Sequence, residues 1–341
     1  MRRLSELPSP RIAQGTAARV VTLGGGHGQA ALLRGLSRLD CHITAIVSVA
    51  DDGGCSGKLR EELGMPPPGD VRRCLVSLAT LREADQFEER LQGEREEGRC
   101  VGNLVLAEMS QDLGSLQRAV DWAGALLGCL GRVVPVADVA GTLNVYDLVH
   151  GPIVGEAAIE RLSANTLVAT VAGPERASPE ALDAIERADL LFLGPGSFVG
   201  STLAVLTTAN VAEAVARTRA RRVLIRNLAA EERGTSLEDH ERVLRDHLAI
   251  GSGDEVVFDV LSHDAGSPRR VRRGDGSHAL SAPLADPTER GHDPALVADA
   301  IGDLYGLPRR PVTDADTVSS EAHSIFATYL ASARARLAAR G

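Results

Sequence analysis

The sequence is short of aromatic side chains: Phe, Trp and Tyr make up 3% of its 341 residues, with a single Trp. Stacking platforms for single-stranded nucleic acid are therefore scarce. It is also short of positive charge. The formal net charge is −9, which argues against a nucleic-acid partner and against an anionic membrane. The five cysteines, Cys41, Cys55, Cys74, Cys100 and Cys129, show no CxxC spacing and are odd in number, so a reduced, cytoplasmic protein with free thiols is expected. The start, MRRLSELPSPRIAQGTAAR, has no apolar core of a secretory signal and reads as a disordered arm over residues 1–17. A long run without charge does exist, Leu190 to Ala212, but Gly194-Pro195-Gly196-Ser197 interrupts it. It reads as a buried strand, a tight loop and a helix, with no membrane insertion.

What is present is an ordinary globular composition, 44% hydrophobic and 24% charged, long enough to bury a core without disulfides or metals. Short apolar runs alternate with helical stretches. Strands are predicted at Arg19–Leu23, Ile43–Val49, Val133–Val136, Thr142–Tyr146, Leu167–Val171, Leu190–Leu193, Val223–Ile225 and Val256–Val260. Helices are predicted at Gln29–Leu39, Ser56–Leu63, Asp70–Leu81, Phe87–Glu97, Val101–Leu113, Leu116–Leu130, Pro179–Ala188, Ser201–Thr218, Leu237–Leu248 and Pro294–Tyr305. Gly151–Gly155 suggests a turn, and the polar, Arg-rich stretch Gly266–Asp286 a solvated loop. This alternation predicts an α/β fold: a doubly wound, mostly parallel Rossmann-like sheet with helices on both faces. One nucleotide-binding domain is expected over residues 18–310, with a helical insertion at about 84–130 and a tail with a helix over 311–341. That last helix, Ser319–Ala339, carries Ile325, Phe326, Tyr329 and Leu330 on one stripe. It is a candidate surface for a second copy or another protein.

In a doubly wound sheet the chemistry collects in the loops after the strands. Three of these loops are rich in glycine. LGGGHGQAALL carries Gly24, Gly25, Gly26 and Gly28 into a helix, where oriented N–H groups favour a phosphate. ADDGGCSGKLR adds Gly53, Gly54, Ser56 and Gly57, but sets Asp51 and Asp52 beside them. One Asp suits a helix cap. A pair tolerates a phosphate when a divalent cation such as Mg²⁺ lies between, or one Asp accepts from a sugar hydroxyl. Lys58 and Arg60 read as surface charges. LLFLGPGSFVGS supplies Gly194, Gly196 and Ser197. Cys55 and Ser197 have no local base and no GxSxG elbow, so no nucleophile is assigned. In MPPPGDVRRCL, Asp70 can cap a helix and Arg72 can face a phosphate. Together the loops imply a phosphorylated ligand of nucleotide type.

GGGHGQAALLRGL, ITAIVSVADDGGCSGKLREELGMPPPGDVRRCLVSLA, VGNLVLAEM and ADLLFLGPGSFVGSTL together resemble the gluconeogenesis factor, or YvcK-like, family. That family is similar in fold to 2-phospho-L-lactate transferase (CofD-like). The resemblance runs from about Ala18 to His240, with a short element near Arg290. It implies a ligand site at Gly25, Gly26, His27, Gly28, Asp51, Asp52, Gly53, Gly54, Ser56, Gly69, Asp70, Arg72, Asn103, Gly194, Gly196, Ser197, Asn227 and Arg290. It implies a UDP-sugar ligand, UDP-N-acetylglucosamine in particular, and a role in gluconeogenic growth, cell shape and peptidoglycan synthesis. The transferase branch implies Mg²⁺ at Asp51 and Asp52. There are departures. Val199 and Gly200 stand where Tyr and Thr are usual, Cys55 where Ser is common, and Thr235 where an aromatic ring is usual. RGHD replaces RHD, so Arg290 or His292 supplies that charge.

The resulting expectation is a cytoplasmic, non-catalytic regulator that binds a nucleotide sugar, with no cofactor firmly implied. The alternative is a Mg-dependent phospho- or nucleotidyl-group transferase, in which Asp51 and Asp52 would be catalytic.

Overall fold

A computed structural model describes residues 17–91, 98–147, 150–161, 166–172, 174–229, 236–253, 255–288, 290–311 and residue 331. The N-terminal arm before residue 17, the helix expected over 319–339 apart from residue 331, Thr235 and the segment 92–97 lie outside the described residues.

In chain order the strands are β1 (Ala18–Gly24), β2 (Cys41–Val47), β3 (Gly131–Pro135), β4 (Thr142–Asp147), β5 (Gly151–Val154), β6 (Thr166–Ala172), β7 (Leu190–Leu193), β8 (Arg221–Ile225), β9 (Asp259–His263), β10 (Arg269–Arg272) and β11 (His278–Ala282). The helices are α1 (Gly26–Leu36), α2 (Gly54–Leu63), α3 (Gly69–Leu78), α4 (Val101–Leu113), α5 (Leu116–Leu126), α6 (Glu156–Arg161), α7 (Pro179–Arg187), α8 (Ala204–Leu206), α9 (Val211–Arg217), α10 (Leu237–Ser252) and α11 (Pro294–Tyr305). A 3-10 turn covers Arg82–Glu88, and a π-helical turn, Phe198–Leu203, leads into α8.

The main sheet runs β10-β11-β9-β8-β7-β1-β2-β3, with every described pairing parallel except β10–β11. This is the mostly parallel, doubly wound architecture that the alternation predicts. Residues of β1 alternate between two cores: Val20 packs with α1, α3 and α11, while Val21 and Leu23 face the side of α7, α9 and α10. Complete burial of Leu32, Leu33 and Leu36 seats α1, each such side chain contributing about 1.5–3 kcal/mol. Gln29 is fully buried on the same helix. Its Nε2 donates to Thr22 Oγ1 (2.9 Å) and Ile46 O (3.3 Å), and its Oε1 accepts from Cys74 Sγ (3.6 Å). One polar side chain thus ties α1 to β1, β2 and α3 without an unpaired group.

Five local expectations are corrected. Gly151–Val154 is a strand rather than a turn; it joins a separate antiparallel sheet, β5-β4-β6. Gly266–Asp286 is not one solvated loop. It contains the β10–β11 hairpin, closed at Asp275-Gly276 with Gly276 at φ +87°. Its arginines point outward from an edge strand, so the apolar alternation that marks a strand is absent. The strand expected at Val256–Val260 is β9, which starts at Asp259. The single helix expected over Ser201–Thr218 breaks after Leu206 and bends by 76° into α9, with Asn210 at φ 70°. Among the described residues no single helix is long and apolar enough to cross a membrane. Arg60, expected as a surface charge, instead ties α2 to the small sheet by donating to Gly141 O and Thr142 Oγ1.

Candidate functional site

Strand order reverses between β1 and β7, since β2 and β3 lie beyond β1 while β8 and β9 lie beyond β7. Loops leaving the two strands diverge to opposite faces at such a point and leave a crevice at the carboxyl ends. Here they are the glycine loop into α1 and the Gly194–Ser197 loop. They touch: a Cβ on Gly28 would lie 2.5 Å from Gly196 N and from the Pro195 carbonyl, a distance no real Cβ tolerates. Only glycine permits that approach. Asn227, after β8, locks the second loop. Its Oδ1 accepts from Gly196 N (3.0 Å) and its Nδ2 donates to Gly196 O (2.9 Å). Ser197 Oγ accepts from Gly200 N (3.0 Å) and caps the following turn.

A cavity of about 1130 Å³ opens there. Of the sequence-derived site residues, Gly26, His27, Gly28, Asp51, Asp70, Gly196, Ser197, Asn227 and Arg290 line it. Ala31, Arg34, Arg73, Glu156, Pro195, Ser201, Leu228, Ala229, Asp286, Gly291 and His292 complete the wall. Three arginines and the first turn of α1 favour an anion. Leu228, Ala229 and Ala31 offer an apolar surface for a flat ring.

The two neighbouring aspartates part company. Asp51 lines the cavity, with Oδ1 accepting from Gly53 N at 2.9 Å. Asp52 Oδ1 accepts from Ala157 N at 2.8 Å and caps the first turn of α6. Its other oxygen lies against Gly155, where a Cβ would collide with it. As a pair, then, they do not fit one shared cation. Among the described residues no group of three His, Cys, Asp or Glu side chains is arranged to hold a metal. Asp70, Glu156 and Asp286 accompany Asp51 on the wall, and Asp70 comes from the start of α3. Burial and the Asp51 charge push Asp70 upward, against the pull of Arg73, whose Nη1 pairs with Asp70 Oδ1 at 2.6 Å.

Arg72 and Asn103 sit elsewhere. Both are buried, and Arg72 Nη1 donates to Asn103 Oδ1 (2.9 Å) while Nη2 pairs with Glu88 (2.8 Å). Their task is to join α3 to α4 and the 3-10 turn. The arginine of this pair that lines the cavity is the next one, Arg73, one turn after Asp70 on α3. Gly25, Gly53, Gly54, Ser56, Gly69 and Gly194 shape the loops without lining the cavity. A Cβ on Gly25 would collide with the Asp70 carboxylate, and one on Gly69 with Ser56 Oγ.

Both wall histidines are held below their ordinary range. For His27 the larger cause is the nearby Arg73 guanidinium, then burial; for His292 it is burial. His292 Nε2 is buried with no hydrogen-bond partner. Held neutral by burial, His292 leaves the charge of this element to Arg290. Asp286 shapes that loop, accepting from Thr288 N (2.8 Å) and Arg290 N (3.3 Å). The departure at Gly200 has a structural counterpart: a Cβ there would collide with Glu156 Oε1.

The comparisons with known proteins agree with this architecture. The family model for 2-phospho-L-lactate transferase CofD matches residues 20–283. The gluconeogenesis factor of Halalkalibacterium halodurans is 37% identical over 253 residues, covering 72% of this chain and 77% of that protein. The chain belongs to the gluconeogenesis factor family, on the CofD fold. The gluconeogenesis factor of Listeria monocytogenes is 34% identical over 255 residues, covering 72% and 79%. A crystal structure of a UPF0052 family member from Bacillus halodurans superimposes with a TM-score of 0.75 at 29% identity, covering 84% of this chain and 99% of that one. A gluconeogenesis factor with His27, Ala31 and Arg34 on one face of α1 presents a stripe at i, i+4 and i+7 along the cavity. That spacing is the signal that could have found Arg34 in the sequence.

Proposed function

We propose that the cavity binds a nucleotide sugar of the UDP-N-acetylglucosamine type, and that the protein is a cytoplasmic regulatory factor in gluconeogenic growth, cell shape and peptidoglycan synthesis. The observation that carries the reading is the contact between the Gly28 and Gly196 loops at the switch point of the sheet. It leaves the start of α1 facing an open cleft of nucleotide-sugar size. In this reading the amides of Gly26–Gly28 and Ser197 hold the diphosphate, with Arg73 and Arg290 neutralising its charge. Asp51 accepts from a sugar or ribose hydroxyl, and the apolar wall at Leu228 and Ala229 covers the base. The family membership supports the gluconeogenic role.

A second reading follows from Asp51 and Asp70. Two carboxylates on one wall can share a divalent cation with ligand phosphates, which a phospho- or nucleotidyl-group transferase requires. The divergence of Asp51 from Asp52 favours binding over that chemistry. Calorimetric titration with UDP-N-acetylglucosamine, UDP-glucose, GTP and NAD⁺, with and without Mg²⁺, separates the two. Saturable binding of the UDP-sugar without turnover supports the regulator. Mg²⁺-dependent conversion of the bound nucleotide supports the transferase, and no binding of any of the four refutes both.

A further inference from the structure

Cys55 and Cys100 come from different parts of the chain and meet beside the Asp51 turn. Cys55 lies in the first turn of α2 and is half-buried. Cys100 is the residue that precedes α4 and is 1% exposed. The Cys55 Sγ accepts from the Cys100 backbone N–H at 3.3 Å and from Asn103 Nδ2 at 3.4 Å. Those two donors fix the Cys55 sulfur at the entrance of α4. Cys100 Sγ meanwhile donates to Phe87 O at 2.9 Å. Disulfide-bonded residues have Cα atoms about 4.4–6.8 Å apart. With the Cys55 sulfur 3.3 Å from the Cys100 backbone nitrogen, bond lengths keep the two Cα atoms within about 7.5 Å of each other, close to that range, and a χ1 rotation of Cys100 away from Phe87 would carry its sulfur toward Cys55.

The other three cysteines are engaged separately: Cys41 with Leu36 O, Cys74 with Gln29 Oε1 and Cys129 with Leu75 O. Burial pushes Cys41 and Cys129 up to about 12, and raises Cys74 and Cys100 as well. Cys41, Cys74 and Cys100 are buried, which makes thiols inert toward exogenous reagents. Cys129 is half-buried like Cys55, but its sulfur donates to Leu75 O whereas the Cys55 sulfur touches Cys100, so Cys55 is the point of entry to a pair.

We propose that Cys55 and Cys100 are a redox-active dithiol pair, with Cys55 the attacking thiol toward low-molecular-weight disulfides and Cys100 the resolving thiol. In the first step the Cys55 thiolate attacks one sulfur of the small disulfide; a mixed disulfide forms and one small thiolate leaves. In the second, the Cys100 thiolate attacks Cys55 Sγ. The protein disulfide forms and the second small thiolate leaves. Each departing thiolate takes up one proton released by a protein thiol. The protein loses two electrons and two protons, and the small disulfide gains them. Contact between the partners compensates for the small thiolate fraction of buried Cys100. The product joins the start of α2, directly after the Asp51–Gly53 turn, to the start of α4.

Oxidised glutathione and the folded full-length protein test this, read by intact mass and peptide mapping. The expected wild-type product has lost two hydrogens, contains a Cys55–Cys100 cross-link, and keeps three titratable thiols of the original five. Cys100→Ser or Cys100→Ala should stop at a single glutathione adduct on Cys55, and Cys55→Ser should abolish both products. Should both Cys100 variants fail to fold, the wild-type time course still decides, because the Cys55 adduct must appear before the cross-link. Unmodified Cys55, a stable Cys55 adduct in the wild type, or a cross-link to any other cysteine overturns the proposal.

Discussion

Asp52 Oδ1 accepts a hydrogen bond from Ala157 N at 2.8 Å across 105 residues of sequence. Its neighbour Asp51 lines the cavity instead. One carboxylate therefore assembles the site, by fixing the small sheet and α6 to the β2 loop, and the other faces the cavity. Asp52→Ala should lower stability by about 1 kcal/mol, the usual cost of a lost cap, read as a fall in the urea midpoint. Asp51→Asn should leave that midpoint nearly unchanged and weaken UDP-sugar binding about tenfold, the loss of roughly one hydrogen bond to a charged acceptor. Equal effects of both changes would contradict the division of labour.

The Gly28 contact predicts a structural penalty. Gly28→Ala drives a methyl group into the Gly196 nitrogen and the Pro195 carbonyl. The obstacle is the Pro195–Gly196 peptide itself, which cannot swing away as a side chain can. Destabilisation of about 1–3 kcal/mol is expected, together with loss of nucleotide binding. Denaturant unfolding and calorimetry on the same preparation check it.

Adjacent arginines should behave oppositely. Arg72 is buried between Glu88 and Asn103, so Arg72→Met should cost about 1.5–3 kcal/mol of stability. Arg73→Gln should cost less stability and more affinity. It should also let the His27 pKa rise, because the Arg73 charge is the leading cause that holds it down. Histidine NMR titration of wild type and variant reads that shift directly.

His240 stacks on Phe198 with ring centroids 4.1 Å apart and an interplanar angle of 8°. Burial lowers its pKa from 6.5 to about 4. As pH falls below 6.5 the unfolded chain takes up the proton first, so the contribution is complete above that pH and is lost toward pH 4. The loss is on the order of 2 kcal/mol after allowance for solvent screening. His240→Gln should flatten the decline in melting temperature between pH 7 and pH 5. An unchanged decline would assign the acid sensitivity to other groups.

Much of this site is legible in the sequence because glycine after an apolar strand has few other uses in an α/β protein. The loops at Gly24–Gly28, Asp51–Gly57 and Gly194–Ser197 all stand at carboxyl ends of strands, and α4 and α11 match their expected limits. The sequence reading picks Arg72, and the structure puts Arg73 on the cavity wall instead. Helical phase is the reason, since Asp70 and Arg73 at i and i+3 share a face that Arg72 leaves. Of the small sheet, β4 and β6 stand where strands are expected, and only β5 escaped, because it is four residues that open on Gly151 and end before Gly155 and so read as a turn. The β10 strand escaped because its arginines mimic a solvated loop. The orphaned Nε2 of His292 and the Cys55–Cys100 contact depend on tertiary packing, which no local pattern encodes.

A crystal structure of the protein grown with UDP-N-acetylglucosamine decides whether the cleft is the nucleotide-sugar site. Diphosphate density is expected between the amides of Gly26–Gly28 and the Gly196–Ser197 turn, within hydrogen-bond distance of Arg73 or Arg290. Ligand bound at any other surface, with that cleft empty at saturating concentration, would contradict it.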